Sequence, residues 1–366
     1  MPSLAGKVPV VQDPRVYLLA IERHGQYMIW NRSTICYCLT EFNRPDPSCD
    51  HCFGRGRVYA PVQKVPRIVE AVGNGSFTVK LVRYNIDSIT RVYSKAGTWS
   101  VSSFSGDTIR FTTPVPKATV LYIDFIDTLV QTFTGKAVAE DNGMLRVPME
   151  IVDSKGVFVG QIVGVSLLYN NTKVKALTPI DAWENRILVA DGDEDVGDDI
   201  DVSVTWIRPT KYLINQVWPT LIRNNPTIAE KFDAQVTFPG TFEMGMGDLL
   251  TPTMMRTRTS VVGTYKVGEV THKLPFFHVA DVLKVECAAG EITGWALVRK
   301  NEIKWGVQKP VGRFSVQLTY YPTFMVDDSV PSVRNAEDKT FPKRMMLKRF
   351  DLFNQNVDRP NARITA

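Results

Sequence analysis

Four of the chain's five cysteines lie within one 17-residue stretch, as Cys36-Tyr-Cys38, ten residues, then Cys49-Asp-His-Cys52. Two close pairs of thiolates are the donor set that zinc takes in a tetrahedron, with metal–sulfur distances near ~2.3 Å. Gly54 and Gly56 follow the second pair. A residue without Cβ lets the backbone turn under the metal and point its amides at sulfur. Pro45-Asp46-Pro47 supplies a rigid turn between the pairs. Cys36, Cys38, Cys49 and Cys52 are therefore expected to hold one structural zinc, because four protein ligands leave no open position for a catalytic water. An iron–sulfur cluster takes the same ligands, and a disulfide or redox pair is the remaining chemistry open to such cysteines. His51 is a spare donor next to Cys52. Cys287, in a β-type run, is expected to pack as a small apolar side chain.

Elsewhere, residues able to do chemistry are sparse. Four histidines (His24, His51, His272 and His278) leave few candidates for acid–base work. The sequence has no GxxxxGK[ST] loop, GxSxG elbow or HExxH helix. The expectation is a protein that is not an enzyme and takes no small-molecule substrate. No run approaches the ~18–20 apolar residues of a membrane helix, so no membrane partner is expected. The N-terminal residues lack the apolar core of a signal peptide, which points to synthesis in the cytosol.

The elements that must carry these residues read as strands. At 366 residues the chain exceeds the ~250–300 that one core supports, so several domains are expected. Short β-branched and aromatic runs dominate, such as SFTVKLVRY (76–84), TVLYIDFI (119–126), DVSVTWI (201–207) and FSVQLTYY (314–321). In DVSVTW the alternation sets Val202, Val204 and Trp206 on one face. Three stretches share an order of strand, Trp, polar turn and strand: 89–126, 167–207 and 283–322. Their tryptophans are Trp99, Trp183 and Trp295. Ile109, Ile187 and Ile303 each lie 20 residues after the opening Ile89, Leu167 or Leu283. This spacing predicts a repeated unit, and a unit so short needs neighbouring strands to bury a face.

The expected architecture is mainly β, with tandem small β-sandwich or barrel domains, an N-terminal zinc-knuckle module and an extended C-terminal arm. Its boundaries are 1–63 for the knuckle segment, 64–132, 133–212 and 257–326 for the β domains, 213–256 for an insert and 327–366 for a basic arm. The insert combines a short helix near Pro226-Thr227 with FPGTFEMGMGDLLTPTMM, whose Met244 and Met246 are expected to meet a partner. Residues 191–201 hold seven acids and no base, while 334–366 hold eight bases against four acids. Complementary segments of this kind dock subunits, which makes Lys343, Arg344, Lys348 and Arg349 candidate partner-binding residues. Nucleic acid is not expected as a partner, although GRGRVY (54–59) beside the knuckle keeps that class in view.

The segment RHGQYMIWNRSTICYCLTEFNRPDPSCDHCFGRGRVY (23–59) resembles one in virion proteins of tailed bacteriophages. There an apolar-aromatic stretch precedes C-x(1–2)-C, a Pro-Asp turn and CxxCxGxG. The first pair here is CxC, where CxxC is commoner. The ending YYPTFMVDDSVPSVRNAEDKTFPKRMMLKRFDL (320–352) is similar to endings of phage neck and tail proteins. The resemblance implies a contractile-tailed phage structural protein, made in the host bacterial cytoplasm and carried in the virion. It also implies a ring-like homo-oligomer in a neck or collar, bound to other neck and tail proteins. A baseplate or tail-fibre attachment protein is the alternative, and a zinc-knuckle nucleic-acid-binding accessory protein a second.

Overall fold

The computed structural model describes residues 14–40, 44–52, 56–140, 143–153, 156–190, 197–216, 234–276, 279–299, 301–329 and 343–350. The fold is mainly β, with 59% of residues in strands and 3% in helix. The helix is α1 (Pro14–His24). Its proline suits the first turn, and Arg23 and His24 face the negative end of the helix dipole. Leu18 and Ile21, three residues apart, are buried. The sequence pattern did not mark this helix, because eleven residues carry only three turns of periodicity. The helix expected within 213–256, near Pro226-Thr227, lies outside the described residues.

The chain next forms β1 (Gln26–Ile35) and β2 (Arg57–Pro61), then a first sandwich. This sandwich comprises β3 (Lys64–Val72), β4 (Thr78–Lys80), β5 (Ile86–Ser94), β6 (Gly97–Thr98), β7 (Val101–Ser105), β8 (Thr108–Phe111) and β9 (Val120–Thr128). One sheet has the order β3-β9-β5-β6 and the facing sheet β4-β8-β7. A second unit follows with β10 (Val130–Glu140), β11 (Met144–Arg146), a hairpin of β12 (Glu150–Asp153) and β13 (Gly156–Val159), and β14 (Gln161–Asn170). It continues through β15 (Lys175–Ala176), β16 (Pro179–Trp183), β17 (Arg186–Val189) and β18 (Ile200–Ile207). The order β15-β14-β18-β10 runs on through the β10–β11 hairpin into β11-β17-β16.

After β19 (Thr210–Gln216), β20 (Ala234–Phe238) and β21 (Leu249–Pro252) comes the third unit. It has β22 (Thr257–Thr264), β23 (Thr271–Lys273), β24 (Val279–Cys287), β25 (Gly290–Ile292), β26 (Ala296–Arg299), β27 (Glu302–Lys304) and β28 (Arg313–Tyr320). Its sheets are β22-β28-β24-β25 and β23-β27-β26, strand for strand the order of the first sandwich. The three units therefore share one strand order, and among the described residues the second adds the β12–β13 hairpin and the β10–β11 pairing that joins its two sheets.

Two β-bulges repeat with them. In β5 the register against β9 slips between Ile86 and Ser88 and again between Ile89 and Arg91. In β14 the slips fall at Ile162/Gly164 and Val165/Leu167, and in β24 at Val279/Asp281 and Val282/Lys284. Bulges are built features that set local twist, and the same pair at the same three-residue step marks equivalent positions. Ile109, Ile187 and Ile303 each occupy the middle position of the three-residue pairing with the neighbouring short strand, and each is 0% exposed. The opening residues are offset, however. The bulges set Ile89 against Val165 and Val282, so Leu167 and Leu283 stand two and one residues late. Trp99 and Trp295 precede the equivalent strands β7 and β26, whereas Trp183 ends β16. Val202, Val204 and Trp206 share the buried face of β18, as the alternation predicts.

The last described strands, β29 (Phe324–Ser329) and β30 (Lys343–Arg349), pair within a sheet, and residues 330–342 and 351–366 of the expected C-terminal arm lie outside the described residues. Sheet order β19-β20-β30-β29-β21-β1 closes on itself, because Gln26–Met28 of β1 also pairs with Thr210–Tyr212 of β19. The knuckle segment (β1), the insert (β20 and β21) and the arm (β30) thus join β19 and β29, which straddle the expected boundaries at 212 and 326, in one six-stranded closed barrel. Met28, Trp30, Tyr212, Val236, Phe238 and Leu250 lie in its core, joined by Val65, Leu129 and Ile207 from the feet of the first two sandwiches. Closure leaves no open sheet edge in the ring, which removes a pairing hazard. Helix α1 packs against β19, β20 and β3. No helix among the described residues is long and apolar enough to cross a membrane.

Candidate metal centre

Beyond Asn31, β1 leaves the barrel and pairs only with β2, as a two-stranded ribbon from Asn31↔Pro61 to Ile35↔Arg57. The cysteines sit in the loop that caps this ribbon. Its root is fixed by Asp248, which is buried and accepts from Trp30 Nε1 at 2.8 Å, the Ser33 amide at 2.8 Å and the Gly245 amide at 3.0 Å. Arg57 donates to Ser33 Oγ at 2.8 Å. An isolated two-stranded ribbon is marginal in water, so the tip needs another source of order.

All four sulfurs, of Cys36, Cys38, Cys49 and Cys52, lie within 4.8 Å of one another and none is in a disulfide. Cys36 Sγ is 3.8 Å from Cys49 Sγ, and Cys38 Sγ is 3.3 Å from Cys52 Sγ. A tetrahedral thiolate site with ~2.3 Å bonds has sulfur–sulfur edges of about 3.8 Å. The four cysteines therefore form a set that can bind a metal ion. Cys36, Cys49 and Cys52 are buried, and with Val58 they make a small cluster of their own.

The backbone is shaped to this set. The Gly56 amide donates to Cys52 Sγ at 3.3 Å, and its carbonyl accepts from the Cys36 amide at 2.9 Å. Gly56 has φ +70°, and a Cβ there would come within 2.8 Å of Leu39 Cδ1. Asp46 closes the predicted turn: its Oδ1 accepts from the Ser48 amide at 2.8 Å, and its carbonyl from the Cys49 amide at 3.1 Å. Gly54 lies outside the described residues.

Proton sharing within the set favours a cation. Burial, and then its hydrogen bond with Cys52, pushes the Cys38 thiol up to about 12. Burial also opposes ionisation of Cys52, but hydrogen bonds from Cys38 and the Gly56 amide bring it down to about 7. One thiolate thus forms at the expense of its neighbour, and a divalent ion is what allows all four to ionise together. Beside the set, Tyr37 and His51 stack at 5.6 Å on the outer surface, and both are exposed.

The residues expected to meet a partner divide. Met246 is exposed, as are Lys343 and Arg344 on β30. Met244 is 6% exposed and belongs to the barrel core, so its thioether packs against apolar side chains instead of a partner. Arg349 is half-buried over the Tyr320 and Phe324 rings and donates to the Tyr320 hydroxyl. Lys348 is also half-buried. The described part of the acidic run is engaged within its own unit: Asp199 and Asp201 pair with Lys136, and Asp198 with Lys173. Cys287 lies in β24, half-buried against the third core.

A second polar cluster went unmarked in the sequence reading. Asp127, 0% exposed, accepts from Arg67 Nε at 2.6 Å and from Arg208 Nη2. Arg67 Nη1 also donates to Glu22 of α1 at 3.2 Å, as does the Tyr84 hydroxyl. Both guanidinium groups lie over the Tyr84 ring, at 5.2 and 5.6 Å. Burial opposes the charge of Arg67, but Asp127 and Glu22 hold its pKa above the ordinary arginine value. The cluster ties helix, first sandwich, second sandwich and barrel together. A signal for it exists: period-2 alternation sets Arg67 on the face of Val65, and Asp127 on that of Leu121, Ile123 and Phe125. A cation and an anion on the apolar faces of two strands predict each other.

No protein-family model matches this chain, and no curated protein sequence matches it.

Proposed function

We propose that the chain is a structural protein of a tailed-bacteriophage virion, a subunit of a neck or collar ring joining head to tail. It acts by binding copies of itself and adjoining neck and tail proteins, and not by catalysis. The resemblance of residues 23–59 and 320–352 supplies the family. The observation that carries an assembly role is the tip of the third sandwich. There Val267 and Val307 are fully exposed, and Val262, Val270 and Val311 are largely so. Val262 lies on β22, and the loops bearing the other four are adjacent, since the Trp305 amide donates to the Val270 carbonyl at 2.9 Å and the Tyr265 amide to the Gly312 carbonyl at 2.8 Å. Apolar side chains exposed together at one end of a domain mark a surface that another molecule covers.

Native mass spectrometry of the full chain tests this reading. A closed oligomer that Val267→Asp with Val307→Asp converts to monomer supports it; a monomer at high concentration overturns it.

The ion we assign to the four thiols is zinc, in a structural role. Elemental mass spectrometry on protein purified without chelator should find about one zinc per chain; iron instead would overturn the assignment. A nucleic-acid-binding role is favoured by one observation, the exposed Tyr37–His51 stack, since aromatic faces receive bases. Salt-dependent DNA retention lost in Tyr37→Ala would establish it.

A further inference from the structure

The first and third sandwiches share a strand order but treat one sheet edge differently. Strand β3 forms that edge in the first and β22 in the third, each paired on one side only among the described residues. The ladders fix which backbone groups point outward. The Leu129 amide donates to the Gln63 carbonyl at 2.7 Å, and the Tyr265 amide to the Gly312 carbonyl at 2.8 Å. Opposed residues in antiparallel strands alternate between hydrogen-bonded and non-bonded pairs. The backbone N–H and C=O of Arg258, Ser260, Val262 and Thr264 therefore point away from β28, and the outward positions of β3 include Lys64 and Pro66. A lysine, and a proline with no N–H to offer, keep an edge from pairing with another chain. In the second unit β10 carries Lys136 on the same edge. Strand β22 has neither lysine nor proline, and its eight residues pair with β28 without a bulge. Its one charge, on Arg258, lies across the sheet and donates to Gln317 Oε1 of β28 at 3.0 Å. Val261 packs against the third core yet is only half-buried, as at an uncovered edge, and Val262 is 63% exposed.

We propose that β22 pairs with the β22 of a second copy of this chain, antiparallel about a two-fold axis at Val261, so that two third sandwiches share one continuous sheet. The strand is complementary to itself in this register. Arg258 opposes Thr264 and Ser260 opposes Val262, in both directions, and each pair exchanges its N–H···O bonds. The two Arg258 side chains stand at opposite ends of the contact, so no like charges are opposed, and the two exposed Val262 side chains lie diagonal to each other, within reach. The inference goes beyond the neck reading. A two-fold contact closes on itself and builds no ring, so it joins two subunits, or two rings back to back. One strand per partner is a small interface, and dissociation in roughly the micromolar range is expected.

The test is sedimentation velocity of the full chain from about 1 to about 100 μM, with the mass expected to double across that range. Arg258→Pro should hold the lower mass throughout. That variant copies the first sandwich: the bulges align Phe125 with Leu318, which sets Pro66, opposite Ile126, in the place of Arg258, opposite Thr319. If it fails to fold, Val262→Lys, which sets a lysine on the edge strand, decides in its stead. Amide exchange reads the same contact. The Ser260, Val262 and Thr264 amides should slow as concentration rises, while those of Thr259, Val261 and Gly263 stay protected throughout. A ring that falls to half its mass in Arg258→Pro supports both readings; a dimer that falls to monomer supports this one and removes the ring. No doubling, or doubling unchanged in the folded variants, overturns the proposal. Protection of the outward amides at every concentration also overturns it, and assigns the edge to another segment of the same chain.

Discussion

The thiol ribbon and the buried charge cluster stabilise the molecule by opposite routes. The ribbon draws its ligands from 17 consecutive residues, projects from the barrel and depends on a few local turns. The charge cluster draws on Glu22, Arg67, Asp127 and Arg208, remote in sequence, and sits where four parts of the fold meet. One orders a tip, the other a junction. Damage to the first should stay local, whereas damage to the second should be felt across the whole chain.

Keeping metal from the four thiols should give the largest effect. Structural zinc in small modules supplies ~10–16 kcal/mol of apparent binding energy. Chelation, or Cys49→Ser, should abolish metal content and amide-exchange protection around residues 36–56, while β19, β20 and β30 keep theirs. Loss of protection in the barrel strands as well would break the distinction.

Next is Asp127→Asn, which leaves two buried arginines facing one neutral amide. A loss of about 3–5 kcal/mol is expected, read as a lower urea midpoint by a probe in each sandwich. An effect confined to the first sandwich would mean the cluster does not couple its neighbours.

Ile109→Ala, Ile187→Ala and Ile303→Ala should each cost about 2–5 kcal/mol. Similar values would confirm the three positions as equivalent. A cost under about 1 kcal/mol at any one would separate that unit from the others, and denaturant titrations of the three variants decide.

Gly56→Ala should have the smallest effect, about 1–3 kcal/mol and confined to the ribbon. The measurement is metal affinity against a competing chelator. Unchanged affinity would show that the +70° turn and the Gly56–Cys52 hydrogen bond are dispensable.

Legibility in the sequence followed locality. The four cysteines, the Asp46 turn and the Gly56 position could be read directly because the chemistry is complete within one loop. Ile109, Ile187 and Ile303 were legible because strands of one topology keep their spacing. The starts of the repeats were not, since each bulge adds a residue that alternation cannot register: Leu283 stands between the paired residues Val282 and Lys284. The barrel was invisible for a different reason. Its strands are separated by whole sandwiches, and short runs such as LLTP (249–252) have no pattern until they pair. Met244 shows the resulting error, since a methionine in a glycine-rich loop reads as surface until a barrel is there to enclose it.

Closure of that barrel also dictates an order of events during synthesis. Each sandwich has all its strands in one continuous stretch, so it can fold as soon as its own last strand leaves the ribosome. Strand β1 emerges early but must wait for Thr210–Tyr212 and Leu249–Pro252, and the ring stays open until Lys343–Arg349 arrives. A nascent chain therefore carries three finished sandwiches on an unfinished hub. A ribosome stalled before residue 343 would present the bare edges of β20 and β29 to any neighbouring chain.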